Sequence, residues 1–80
     1  MSGITNIRYA TNIAGRVRVS VYDLSGREVR TLVNASHKPG VFNLTWDGRD
    51  NHSRHLSQGI YFVRLLTPNY SESRKLVLTR

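Results

Sequence analysis

Apolar side chains recur at every second position in the segment Arg16–Tyr22. Val17, Val19 and Val21 occupy the odd-numbered positions, and mostly polar or charged residues occupy the even-numbered positions. Side chains alternate between the two faces of an extended chain, and β-branched residues favour that conformation. The segment therefore predicts a β-strand with one buried and one solvent-exposed face, and it excludes an amphipathic helix at this position.

The same alternation continues along the chain, interrupted by turn-forming residues and by the polar segment 47–58. Further strands are predicted at Ile4–Tyr9, Glu28–Val33, Phe42–Trp46, Ile60–Leu66 and Tyr70–Leu78. Tight turns are predicted at Asp23–Gly26, His37–Gly40 and Thr67–Asn69. About six or seven short strands in one small domain predict an all-β, antiparallel β-sandwich of the immunoglobulin or fibronectin III kind, with a small barrel as the alternative.

Some positions carry more detailed predictions. Val29 and Leu32 are three residues apart, which predicts a bulge or an edge position for their strand. The segment Ile60–Leu66 is apolar on both faces, which predicts a central strand. The segment Ser57–Tyr61 has the Gly-x-Tyr spacing of a tyrosine corner, in which the phenol bonds back across a loop. The predicted core comprises Val17, Val19, Val21, Phe42, Leu44, Trp46, Tyr61, Val63 and Leu65.

The residues that could carry chemistry are few. The chain has no cysteine, and it has no phosphate-binding loop, nucleophile elbow or zinc-protease motif. Asp47 and Asp50 share one loop, but Arg49 between them argues against calcium. We expect Asp47 and Asn51 to shape the turn through nearby backbone groups instead. His52, three residues before a second histidine, lacks the further ligands that zinc needs. The sequence predicts no metal, no cofactor and no catalytic site.

The chain is strongly basic, with a formal net charge of +7. Arg16 and Arg18 are expected to project beside Tyr22 on one strand face, a combination that could hold a phosphate backbone or stack a base. The remaining arginines are spread over all strands, which favours a solvated face and no specific nucleic acid. No apolar run approaches the ~18 residues of a membrane-spanning helix, so no transmembrane segment is expected.

Four segments of this sequence together resemble one bacterial family. They are Gly15–Val33, with the run GRVRVSVYDLSGREVRTLV, then Trp46–Asp50, Gly59–Leu65 and Arg74–Leu78, in the order and spacing of that family. The family comprises immunoglobulin-like domains similar to that of the flagellar hook-capping protein, and it overlaps with the C-terminal sorting domains of type IX secretion. The similarity extends from about Ile4 to Arg80.

The resemblance implies a non-catalytic sorting domain that directs a secreted bacterial protein through type IX secretion to the outer membrane or exterior. The implied partners are translocon or shuttle proteins of the outer membrane and a passenger domain upstream in the parent chain. The implied location is secreted or cell-surface, reached through the periplasm. The residues that would carry recognition are Gly59, Tyr61, Val63, Lys75, Val77 and Arg80. A receptor would grip the last strand or pair with its edge.

The sequence departs from the family pattern at three places. Thr11 and Asn12 replace a Leu-Pro pair, and Ser53 replaces a loop glycine, which predicts a looser turn. Residues 1–3 replace an Asn-Pro signature and are interpreted as a cloning remnant or linker before a single domain over residues 4–80. The end at Arg80 is read as a native terminus, which favours sorting. The alternatives are a structural spacer or assembly module of an extracellular or hook-cap-like protein, and a module that binds glycan or nucleic acid.

Overall fold

The computed structural model describes residues 5–79, and every regular element in this range is a β-strand. The six strands are β1 (Thr5–Thr11), β2 (Gly15–Tyr22), β3 (Glu28–His37), β4 (Gly40–Trp46), β5 (Gly59–Leu66) and β6 (Ser71–Leu78). Each predicted strand is present, although β1 and β3 continue further than the alternation indicated. Ile4, the interpreted leader 1–3 and Arg80 lie outside the described residues. Residues 5–79 contain no helix long and apolar enough to span a bilayer.

The strands form two antiparallel sheets. One has two strands, β1 and β4, and the other has four in the order β3-β2-β5-β6. Strand β5 is therefore internal to its sheet, as its apolar composition predicted. The all-β sandwich is confirmed, and the chain crosses from the larger to the smaller sheet between β3 and β4 and returns through the loop 47–58.

Strand β3 is both bulged and at an edge. Val19 of β2 pairs with Val33, whereas the next residue, Ser20, pairs with Thr31, so Leu32 is extra. A second irregularity leaves Val29 without an opposite residue. The three-residue spacing of Val29 and Leu32 is explained by these bulges, because each extra residue shifts the alternation by one.

Two glycines permit close turns at the ends of β2. Gly26 has a φ of 88° and its amide donates to the carbonyl of Asp23 at 3.0 Å, which closes the predicted β2–β3 turn. At the other end, a Cβ on Gly15 would lie 2.5 Å from Cγ of Pro68. Any larger residue at position 15 would therefore push the β5–β6 turn away from β2.

The core lies between the two sheets. Trp46, at the end of β4, is fully buried, and its ring meets the edge of Tyr61 with centroids 5.4 Å apart. Its indole nitrogen donates to the carbonyl of Arg49 at 3.0 Å, so burial leaves no unpaired polar group on this side chain. The buried apolar residues are Ile7, Tyr9, Val17, Val19, Val21, Val29, Trp46, Tyr61, Val63, Leu65 and Leu78. Phe42 and Leu44 pack against this cluster while half-buried.

Side chains of the β5–β6 hairpin bind the strand β1 across the gap between the sheets. The phenol of Tyr70 donates to the carbonyl of Ala10, and the guanidinium of Arg74 donates to the carbonyl of Arg8. The backbone of β1 pairs with β4 on its other side. Strand β1 is thus held along both of its edges, although it belongs to a sheet of two strands.

Candidate interaction surfaces

The structure separates the residues that were predicted to carry recognition by a secretion receptor. Gly59, Lys75 and Val77 are exposed, whereas Tyr61 and Val63 point into the core. Arg80 was also predicted but lies outside the described residues. The phenol of Tyr61 donates to the carbonyl of Ser57 at 2.7 Å, which confirms the tyrosine corner. The inward-facing members therefore support the fold, and only the exposed members lie where a partner could reach them.

The loop 47–58 is organised by the carboxylate of Asp50. Its Oδ1 accepts the backbone amides of His52 at 2.9 Å and Arg54 at 3.0 Å, and its Oδ2 lies 3.1 Å from Nε of Arg54. The amide of Arg54 is the main cause of a pKa below the usual value for this carboxyl, with the amide of His52 and the charge of Arg54 adding to it. Asp47 accepts the amide of Arg49, as expected for a turn-shaping role. The loop 47–58 is therefore held in shape by hydrogen bonds to its own carboxylates.

Asn51 has a role that sequence reasoning assigned wrongly. Its side-chain Oδ1 accepts the backbone amide of Thr31 at 3.0 Å, and its backbone amide donates to the carbonyl of Val29 at 3.0 Å. Both partners lie in β3, far along the chain, rather than in the nearby loop backbone. The loop therefore covers the outer edge of β3 at its bulges, where backbone groups would otherwise be open to another strand.

Metal ligands do not cluster in the part of the chain that the structure describes. Within residues 5–79, no group of three or more His, Cys, Asp or Glu side chains is arranged to hold a metal ion. Asp50 is occupied by Arg54 and by loop amides, as described above. This environment supports a structural role for the loop.

The basic side chains predicted on the outer face of β2 form hydrogen bonds and an ion pair within the domain. Nε of Arg16 donates to Asn34 at 3.1 Å, and Arg18 forms an ion pair with Glu28 at 2.7 Å. The phenol of Tyr22 also donates to Glu28, at 3.4 Å. Bonds from Thr31 first, and from Arg18 and Tyr22, hold the pKa of Glu28 below its usual value. These arginines are therefore engaged with their own sheet.

Each side-chain carboxylate of the chain is paired with an arginine. The chain has five Asp and Glu residues, and the pairs are Asp23–Arg27, Glu28–Arg18, Asp47–Arg49, Asp50–Arg54 and Glu72–Arg74. Within residues 5–79, the cations without an ion-pair partner are Arg8, Arg16, Arg30, Lys38, Arg64 and Lys75. Two of them, Arg64 and Lys75, lie on the outer face of the β5–β6 hairpin.

The same outer face carries several exposed apolar side chains. Phe62 is 36% exposed, Ile60 38% and Val77 57%, and Leu24 in the β2–β3 turn is 70% exposed. The sequence interpretation used the apolar outer positions of β5 to predict a central strand, which is confirmed, but it did not identify this patch. The signal that could have found it is the polar composition of β6, because a strand covered on both faces has apolar neighbours on both.

Together, a two-layer antiparallel sandwich and a loop held by internal hydrogen bonds define an immunoglobulin-like module. A model of the family described as the FlgD Ig-like domain matches residues 3–69, which is most of the chain. The chain therefore belongs to the FlgD Ig-like domain family.

A solved structure agrees with this fold. The crystal structure of FlgD from P. aeruginosa superposes with a TM-score of 0.65 at 20% sequence identity, and the match covers 94% of this chain. It covers 59% of the FlgD chain, so this sequence spans well under two thirds of that protein. The likeness at this identity concerns the fold. No curated protein matches the sequence.

The interpretation as a type IX secretion sorting domain is corrected by these comparisons. The matching family is the Ig-like domain of FlgD, and the structural match is to FlgD as well. The segments that supported the sorting interpretation, such as Gly59–Leu65, supply strands and core of the sandwich. Residues that determine a shared fold do not distinguish the functions that the fold serves.

Proposed function

We propose that this chain is a non-catalytic assembly module of the hook-cap kind, which contributes a rigid immunoglobulin-like unit to a larger protein structure outside the cytoplasm. The observation that carries the proposal is the match of residues 3–69 to the FlgD Ig-like domain. The flagellar hook-capping protein, to whose Ig-like domain the family refers, acts in assembly and not in catalysis.

Structural features support the same role. The loop 47–58 is braced by Asp50 and bonded to β3 through Asn51, and β1 is held along both edges. Such bracing favours a unit that keeps its shape while other subunits contact it. The accessible outer face of β5 and β6, with unpaired Arg64 and Lys75, is available for those contacts.

A domain exchange tests the proposal. Residues 5–79 would replace the Ig-like domain of P. aeruginosa FlgD, and hooks per cell would be counted by electron microscopy. We expect the chimera to form more hooks than FlgD that lacks its Ig-like domain, because a module with the same fold restores the missing unit. A chimera that is folded and exported, yet forms no more hooks than the deletion, would contradict the proposal.

A matched control distinguishes the effect of the folded domain from the effect of chain length alone. Trp46→Ala in the grafted domain removes a fully buried side chain, which costs about 3–5 kcal/mol and unfolds a domain of this size. The unfolded graft is expected to behave like the deletion. Equal hook numbers for the folded and unfolded grafts would show that the domain acts only as a spacer of chain.

A further inference from the structure

We infer that the outer face of β2, β5 and β6 is a docking surface for an acidic, apolar segment of a partner protein. This inference rests on the proposed assembly function and names the surface that serves it. The surface is called the Phe62 face and consists of Tyr22, Leu24, Ile60, Phe62, Arg64, Lys75 and Val77.

Cross-strand pairing places these side chains next to one another. Phe62 of β5 is opposite Tyr22 of β2 on one side and Lys75 of β6 on the other. Ile60 is opposite Val77, and Arg64 follows Phe62 by two positions on the same face. Phe62 is therefore the centre of a patch with apolar neighbours toward one end and two cations beside it.

The shape of the surface suits an extended segment of a partner protein. Two open depressions of about 310 and 330 Å³ flank Leu24. Ile60 lies in the wall of the first, and Phe62 and Arg64 lie in the wall of the second. Both are shallow and open to solvent, unlike the enclosed clefts that bury small ligands. Apolar side chains of a bound segment could occupy the depressions on either side of Leu24.

The unpaired cations of the Phe62 face indicate that its partner is acidic. Arg64 and Lys75 have no carboxylate partner in residues 5–79, because every side-chain carboxylate of the chain is paired elsewhere with an arginine. A second copy of the chain offers no side-chain carboxylate that lacks an arginine partner, and it carries the same net charge of +7. A different protein with acidic groups is therefore the better electrostatic match.

A protein segment fits this face better than a nucleic acid does. Binding of a nucleic acid requires a row of cations that follows its phosphate backbone, whereas the Phe62 face has two unpaired cations among several apolar groups. Phe62 offers one exposed ring and the Tyr22 phenol is bonded to Glu28, whereas the other apolar members, Leu24, Ile60 and Val77, are aliphatic and cannot stack a base. The apolar end of the face, around Ile60 and Val77, is instead suited to burying leucine-like or aromatic side chains.

The test is a binding titration with a defined probe. A fluorescein-labelled peptide of alternating Glu and Leu is titrated with the 80-residue chain, alongside the matched Gln–Leu peptide and labelled oligo-dT. We expect the Glu–Leu peptide to bind at least about tenfold more tightly than either control. Tighter binding of oligo-dT, or no preference for Glu over Gln, would overturn the inference.

Matched charge reversals locate the site. Lys75→Glu should weaken binding of the Glu–Leu peptide about tenfold, and Phe62→Ala should weaken it similarly, since both lie at the centre of the face. Lys38→Glu makes the same charge change at an exposed turn residue outside the face, and it should leave affinity within about twofold. If Lys38→Glu weakens peptide binding as much as Lys75→Glu does, net charge alone attracts the peptide, and the assignment of the site to the Phe62 face is wrong.

The hook-forming chimera separates this inference from the proposed function. If Lys75→Glu in the chimera lowers hook number while Lys38→Glu does not, the Phe62 face serves assembly. If a functional chimera tolerates Lys75→Glu and Phe62→Ala together, the face is wrong and the assembly function stands. Circular dichroism of each variant confirms that the exposed substitutions leave the fold intact.

Discussion

At the scale of single residues, Ser53 has a conformation that its side chain does not favour. Its φ is 63°, in the left-handed region, and its amide donates to the carbonyl of Asp50 at 3.1 Å. The turn is therefore closed by a hydrogen bond, and the expectation of a looser turn is wrong. The fold tolerates the serine because Asp50 braces the turn on both sides.

Ser53→Gly is expected to stabilise the domain by about 0.5–1 kcal/mol. Glycine removes the cost of a Cβ in the left-handed region, and its greater freedom in the unfolded chain offsets part of that gain. Thermal unfolding should show a rise of about 2–8 °C in Tm for a domain of this length. Ser57→Gly, at a loop position without positive φ, is the control and should lower Tm. A lower Tm for Ser53→Gly would contradict the strain argument.

Several residue roles could be predicted from sequence, and Asn51 shows why others could not. The Gly59-x-Tyr61 spacing predicted that the phenol bonds back across the loop, and its acceptor, the carbonyl of Ser57, is only four residues away. Asn51 and Thr31 are twenty residues apart, and nothing in either neighbourhood marks them as partners. Their bond depends on where the loop meets the edge of β3, which is a property of the assembled sheets.

At the scale of elements, the loop 47–58 protects the edge of β3. We expect Asn51→Ala to cost about 1 kcal/mol, because the amide of Thr31 loses its acceptor. Hydrogen exchange measured by NMR should accelerate at Thr31 and leave the central strand β5 close to its wild-type rate. Asn51→Asp keeps an acceptor oxygen and should keep most of the protection at Thr31. Unchanged exchange in Asn51→Ala would show that the loop does not guard this edge.

Strand β5 shows where the alternation of residues stops being informative. Its two apolar faces predicted a central strand, and its position between β2 and β6 confirms this. Only its inner face, with Val63 and Leu65, is covered, because the second sheet lies on that side and no element of residues 5–79 packs on the other side. The alternation identifies strands and their inner faces, but it does not state whether a further layer covers the outer face.

At the scale of the whole molecule, acid should destabilise the domain. The pKa values of Asp23, Glu28, Asp50 and Glu72 are lowered by hydrogen bonds first and by nearby arginines in addition. Their ionised forms are therefore stabilised by folding. This contribution is complete above the unfolded-state pKa of about 4 and disappears as the pH falls through the lower folded-state values.

Urea unfolding at pH values from 7 to 2 measures this dependence. The free energy of unfolding should change little between about pH 7 and 5 and then fall below about pH 4. Asp50→Asn removes one of the four contributing carboxyls, so the variant should be less stable at pH 7 and should lose less on acidification. A free energy of unfolding that rises below pH 4 would contradict the assigned direction of the shifts.

The position of β1 has a mechanical consequence. A pulling force on this strand would have to break its backbone ladder with β4 and its bonds from Tyr70 and Arg74 within the same displacement. Bonds that share a load in this way resist tension better than bonds that rupture one after another. We therefore expect β1 to resist a force applied along its length, because the bonds on its two edges would bear that force together.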